Sequence, residues 1–88
     1  MQREIVRVAI VGTGFAARLH AEAYRKCPYA EIVAVVGTKE EVVNEFKKTF
    51  SIPYGYLNYL EMLNRRDIDL VDLCVPTFLH KDFALAAI

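Results

Sequence analysis

The 88-residue sequence contains no tryptophan, two cysteines, three prolines and four glycines. Two cysteines, Cys27 and Cys74, are too few for a disulfide-stapled secreted scaffold, and their spacing does not make a metal-type pair. Reduced thiols in the cytoplasm are the expectation. Charge of one sign is also missing. Eleven basic residues face eleven acidic ones with no basic run, so neither nucleic acid nor an anionic membrane surface is expected as a partner. Long apolar runs are absent too. The apolar stretches are strand-sized, which excludes a bilayer span. The first residues, MQREIVRVAI, place charges among the earliest apolar positions and show no cleavage-site pattern, so no signal peptide is expected. Repeats, low-complexity tracts and linker-like stretches are lacking. At 55% hydrophobic and 25% charged residues, the remainder reads as one small globular domain over residues 1–88.

Within that domain the apolar residues alternate between two periods. Ile5 to Val11 is nearly all apolar and β-branched apart from Arg7, the pattern of a strand covered on both faces. Phe15 to Lys26 carries Phe15, Leu19 and Ala23 at i, i+4 and i+8, which predicts a helix buried along that stripe. Cys27-Pro28 ends it. Glu31 to Val36 is a second strand. Thr38 to Glu41 fits a capping box, opening a helix with Val42 or Val43, Phe46 and Phe50 inside. Ile52 to Tyr56 allows a short strand. Asn58 to Glu61 is a second cap, with a short helix through Leu63. Leu70 to Val75 is a further strand, stopped by Pro76, and Thr77 starts another helix. The order β-α-β-α-β-α-β-α predicts an α/β fold: a parallel sheet of order 3-2-1-4, helices on both faces, half of a doubly wound architecture. Such a sheet normally continues with more strands, so the chain is expected to be the first portion of a larger domain.

The glycines carry the functional signal. Gly12, Gly14 and Ala17 meet the pattern Gly-x-Gly-x-x-Gly/Ala where a strand ends and a helix starts. Gly12 permits a tight turn. Gly14 lets a pyrophosphate approach the backbone, and Ala17 keeps the helix near the sheet. Free amides and the helix dipole then favour a phosphate. The competing reading is a turn without a ligand, for which one glycine would suffice. The fingerprint also calls for an acid about 20 residues on. Gly37 stands there instead, so nothing repels a 2′-phosphate. Thr38 and Lys39 offer a hydroxyl and a cation to one, or serve only as helix cap and solvated first-turn residue. The cofactor is expected to be NADP or NAD, with a lean towards NADP.

Three stretches, VAIVGTGFAARLHAEAY, IPYGYLNYLEML and DIDLVDLCVPTFLHKDFALAAI, resemble the Gfo/Idh/MocA family of NAD(P)-dependent oxidoreductases, and the likeness runs over the whole chain. It implies the N-terminal part of a Rossmann domain. Gly12, Thr13, Gly14 and the backbone of Phe15 and Ala16 would hold the pyrophosphate. Gly37 to Lys39 would meet the adenosine ribose. Pro76 and Thr77 would lie near the nicotinamide, and His80 would stand at the family's motif histidine. Val75 and Thr77 depart from the usual Thr and Asn around Pro76. The family's Glu-Lys-Pro motif, whose lysine helps move the proton, and the substrate-domain Asp and His are not in these 88 residues. The whole protein is expected to act by hydride transfer on a sugar-like or cyclitol CH–OH group. The 88 residues alone are expected not to catalyse. A non-catalytic dinucleotide sensor is the alternative, and a purely structural fragment the third class.

Other residues have plainer readings. His20 is expected to be a satisfied structural histidine rather than a base, and His80 is either near the cleft or merely exposed. Asp72, mid-strand between apolar residues, either pairs with Arg7 or lies exposed near a sheet face. Tyr54, Tyr56 and Tyr59 are expected to pack rather than to stack on a ligand. An apolar fourth strand at a sheet edge predicts self-association.

Overall fold

The computed structural model describes residues 4–75. Its elements are β1 (Val6–Val11), α1 (Phe15–Arg25), β2 (Ala30–Val36), α2 (Glu40–Phe50), β3 (Tyr54–Tyr56), α3 (Tyr59–Leu63) and β4 (Leu70–Leu73). All strand pairs are parallel and the order is β3-β2-β1-β4, as the β/α alternation predicts. The helix expected from Thr77 onward, with Pro76 and His80, lies outside the described residues. No helix among the described residues is long and apolar enough to cross a membrane.

Strand alternation divides the core in two. Val8 and Ile10 of β1 face α1 and α2, meeting Ala17, Ala21, Val43, Phe46 and Phe50. Ala9 and Val11 face the other way, towards Tyr59 and Met62 of α3. The register of β1 on β2 shifts between Val8 and Ala9, so Val33 is an extra residue in β2. This bulge explains why Ile32 and Val35, three apart, share one face. Phe46 is fully buried with the Phe50 ring tilted against it, centroids 4.7 Å apart, and each such side chain contributes roughly 1.5–3 kcal/mol of burial.

The predicted stripe of α1 is corrected. Phe15 is 78% and Leu19 55% exposed, and the buried residues are Ala17 and Ala21, with Tyr24 packed beside them. The helix lies so close to the sheet that only methyl-sized side chains fit beneath it. The stripe of α2 is Val43, Phe46 and Phe50, as expected. Its capping box is not: the N-cap is Lys39, no side chain bonds into the first turn, and the helix begins at Glu40. By contrast, Asn58 caps α3 as predicted, its Oδ1 accepting from the amides of Leu60 at 2.8 Å and Glu61 at 3.2 Å. Of the three tyrosines, Tyr59 is buried in the core. Tyr54 and Tyr56 instead hold Arg65, whose guanidinium lies 3.8 Å from the Tyr54 ring centroid and donates to the Tyr56 hydroxyl at 3.0 Å.

Candidate functional site

The carboxyl ends of the strands meet at Gly12. Its amide donates to the Val36 carbonyl at 2.8 Å, and the Cys74 amide donates to the Val11 carbonyl at 2.7 Å, so β2 and β4 flank the turn on both sides. Gly12 has φ 118°, and a Cβ there would run into the Cys74 carbonyl. No residue with a side chain can make this turn. The β1–β4 boundary is where the chain order reverses, the usual position of a ligand crevice in an open parallel sheet.

Gly14 differs. It is the extended N-cap of α1, with φ −82° and ψ −163°, a conformation any residue adopts, and a Cβ on it would meet nothing within 4 Å. Its glycine is not required by the packing of the chain. What it keeps clear is open space at the start of α1, where no side chain caps the helix and no acid stands in the first turn. Bare amides and the positive end of the helix dipole therefore face that space.

A cavity of about 350 Å³ opens there. Its floor is Val11 to Gly14, one wall is Val36, Gly37 and Thr38, and the other is Cys74 and Val75, with Leu57 and Tyr59 closing the rim. Of the predicted site residues, Gly12, Thr13, Gly14, Gly37 and Thr38 are brought together on it. Phe15 and Ala16 follow directly at the start of α1, and Lys39 stands one residue beyond the wall, exposed. Pro76, Thr77 and His80 lie outside the described residues. Leu57, Tyr59, Cys74 and Val75 were not anticipated as lining. Their signal in the sequence is only positional, because each follows the end of a strand. The missing acid at Gly37 has a packing cause: a Cβ there would come within 2.7 Å of Val43 Cγ2 and 2.9 Å of Thr13 Cγ2.

Only Tyr59 and Cys74 among the described lining residues titrate, and burial pushes both upward, Cys74 to about 12 with help from nearby Asp72. Neither is a proton acceptor near neutral pH. A second depression, lined by Glu4 to Arg7 and Asp69, lies at the opposite end of the strands and has no glycine turn.

Behind the Cys74 wall sits a polar cluster. The Tyr24 hydroxyl donates to Asp72 Oδ2 at 2.6 Å, His20 Nδ1 lies 2.7 Å from the same oxygen, and the Cys74 thiol lies 3.4 Å from Oδ1. The expected Arg7–Asp72 pairing is corrected: Arg7 pairs with Asp69 at 3.2 Å. Asp72 is not exposed either, with 15% of its side chain accessible, because strand alternation turns it under α1. Burial alone would raise its carboxyl, but the hydrogen bonds from Tyr24, His20 and Cys74 outweigh it, and the group lies below the usual carboxylate range. His20 is satisfied by this carboxylate, as expected.

The geometry has counterparts among known proteins. A biliverdin reductase from Synechocystis, solved with biliverdin and NADP+, superposes with a TM-score of 0.84 at 35% identity, over 93% of this chain and 26% of that one. A scyllo-inositol dehydrogenase from Lactobacillus casei, solved with NAD(H) and scyllo-inositol, gives a TM-score of 0.88 at 22% identity, over 96% of this chain and 25% of that one. A 4-carboxy-2-hydroxymuconate-6-semialdehyde dehydrogenase from Sphingobium is 30% identical over 81 residues, 92% of this chain and 26% of that protein. The chain thus spans about a quarter of the length of these relatives. The model of the Gfo/Idh/MocA oxidoreductases, described by their NAD-binding Rossmann fold, matches residues 6–88, and the chain belongs to that family.

Proposed function

We propose that this chain forms the dinucleotide-binding part of an oxidoreductase, with the diphosphate of NAD(P) seated between Gly12, Thr13, Gly14 and the opening amides of Phe15 and Ala16. One observation carries the reading: the unfilled space above Gly14, whose glycine no packing contact demands, at an uncapped helix start. In this reading Gly37, Thr38 and Lys39 meet the adenosine ribose, while Pro76, Thr77 and His80 serve the nicotinamide side. When bound, the cofactor supplies hydride chemistry. The chain's own residues bind and orient it.

The substrate of the whole protein is a sugar-like or cyclitol alcohol, or the matching ketone. The solved relative holding scyllo-inositol supports that class, and the relative holding biliverdin marks the spread to be tested against it. Hydride transfer at a carbinol carbon needs a group that takes the hydroxyl proton. The described lining offers only the raised Tyr59 and Cys74, so among the described residues the site binds and orients cofactor without a group suited to take that proton. The free thiols of Cys27 and Cys74 fit a reducing, cytoplasmic setting.

NADP is preferred to NAD. Gly37 cannot carry an acid for packing reasons, and Thr38 and Lys39 present a hydroxyl and an exposed ammonium where a 2′-phosphate would lie. Neighbours with each cofactor exist, so calorimetric titration of this chain with both decides. NADP+ is expected to bind more tightly, and Lys39→Ala to weaken NADP+ about 2–5-fold while sparing NAD+, the scale of one exposed ion pair. Equal or tighter NAD+ binding would overturn the preference. Binding of neither would overturn the cavity assignment.

A further inference from the structure

The cluster behind the Cys74 wall has a composition that the dinucleotide reading does not use. His20 and Tyr24 come from α1, Asp72 from β4 and Cys74 from the residue just after it, and each projects to the same point. The other acid clusters are already neutralised, Asp67 by Arg65 and Asp69 by Arg7. Asp72 is largely buried, yet no lysine or arginine pairs with it among the described residues. A negative charge there has hydroxyl, imidazole and thiol neighbours only.

We propose that His20, Asp72 and Cys74 form a binding site for a divalent cation of the zinc class. Their ligand atoms all lie within 4.8 Å of one another. The separations are 2.7 Å between His20 Nδ1 and Asp72 Oδ2, 3.2 Å between Cys74 Sγ and His20 Nδ1, and 3.4 Å between Cys74 Sγ and Asp72 Oδ1. Tetrahedral zinc, with bonds of roughly 2.0 Å to nitrogen and oxygen and 2.3 Å to sulfur, requires ligand edges of about 3.3–3.5 Å. Opening the His20–Asp72 pair by roughly 0.6 Å, through rotation of the half-exposed His20 side chain, and smaller shifts at Cys74 supply the difference. A mixed nitrogen, oxygen and sulfur set selects a borderline ion over calcium or magnesium, which take oxygen. His20 is half-exposed, so the fourth position opens to water. Tyr24, donating to Asp72 Oδ2 at 2.6 Å, orients the carboxylate in the way outer hydrogen bonds hold metal ligands.

On binding, Nδ1 of neutral His20 gives its lone pair, with the ring proton on Nε2, and the Cys74 thiol releases its proton to solvent. The metal replaces the His20–Asp72 hydrogen bond with two bonds to itself. It clamps the middle of α1 to the end of β4, whose Cys74 carbonyl packs on Gly12.

The test is Co2+ titration of the full chain, kept reduced with a phosphine. One equivalent is expected, with a thiolate-to-cobalt charge-transfer band and the visible intensity of four-coordinate cobalt. Cys74→Ser should abolish the charge-transfer band, His20→Gln should weaken binding at least about tenfold, and Cys27→Ser should change neither. Absence of the band, its survival in Cys74→Ser, or its loss in Cys27→Ser would overturn the site. Should Cys74→Ser fail to fold, full-strength binding by His20→Gln, altered at a half-exposed position, overturns it equally. Dinucleotide titration is a separate readout, so failure here leaves the cavity assignment standing, and the reverse.

Discussion

The three helices of the described residues start in three ways. At α3, the Asn58 side chain accepts two first-turn amides and Glu61 adds an acid. At α2, Glu40 and Glu41 place two negative charges on the positive end. At α1 the protein supplies no cap, no acid, and a glycine open to solvent space. Capping contributes about 1 kcal/mol and a well-placed acid roughly 0.3–1 kcal/mol. The first helix forgoes both, whereas the second has its acids and the third has cap and acid, and it does so at the sheet's topological switch. A structural turn gains nothing from this arrangement. A site for an outside anion does.

The contrast within the loop is tested first. Gly12→Ala forces a side chain into the Cys74 carbonyl at φ 118°, and should cost about 3 kcal/mol in urea unfolding. Gly14→Asp, two residues on, should leave stability unchanged or raise it by about 0.5 kcal/mol, because it gives α1 the cap it lacks. The same change should reduce dinucleotide affinity at least about tenfold. If Gly14→Asp destabilised the fold like Gly12→Ala, both glycines would serve the turn alone. Between these extremes, Asn58→Ala should cost about 1 kcal/mol with no change in dinucleotide affinity. A fall in affinity would mean the α3 cap helps shape the site through Leu57 or Tyr59.

Much of this contrast is written locally, and so was legible in the sequence. The four apolar runs fix the strands, the β/α alternation fixes their order, and Asn58 with Glu61 marks a helix start because a cap acts across three residues. The Gly-x-Gly-x-x-Ala spacing marks the switch point for the same reason. What escaped depends on distance in the third dimension. The α1 stripe is set by fit rather than by size: Phe15 and Leu19 are too large for the gap that Ala17 and Ala21 fill. Ala17 itself, the fingerprint's third position, held that information. The bulge at Val33 is invisible in a run where every residue is apolar. Asp72 finds partners 48 and 52 residues away, so no spacing rule could assign them.

Those distant partners give the last and smallest prediction. The first helix is held by its body rather than its start, through Tyr24 and His20 on Asp72, while α3 is held at its start by an amide that does not titrate. The folded carboxyl of Asp72 lies below its unfolded value of about 3.9. Its contribution is therefore fully present above that value and is lost as pH falls through the lower, folded one. Asp67 and Asp69 are likewise held low, Asp67 first by Arg65 and Asp69 first by the Arg7 amide, so overall stability declines in the same acid window. The distinguishing signal is local. In hydrogen exchange below about pH 4, the amides of α1 should lose protection before those of α3, and Asp72→Asn should remove that order while keeping the decline due to Asp67 and Asp69. Equal loss in both helices would place the anchorage of α1 in its apolar contacts at Ala17 and Ala21 alone, and the polar cluster would then be free to serve a ligand without cost to the fold.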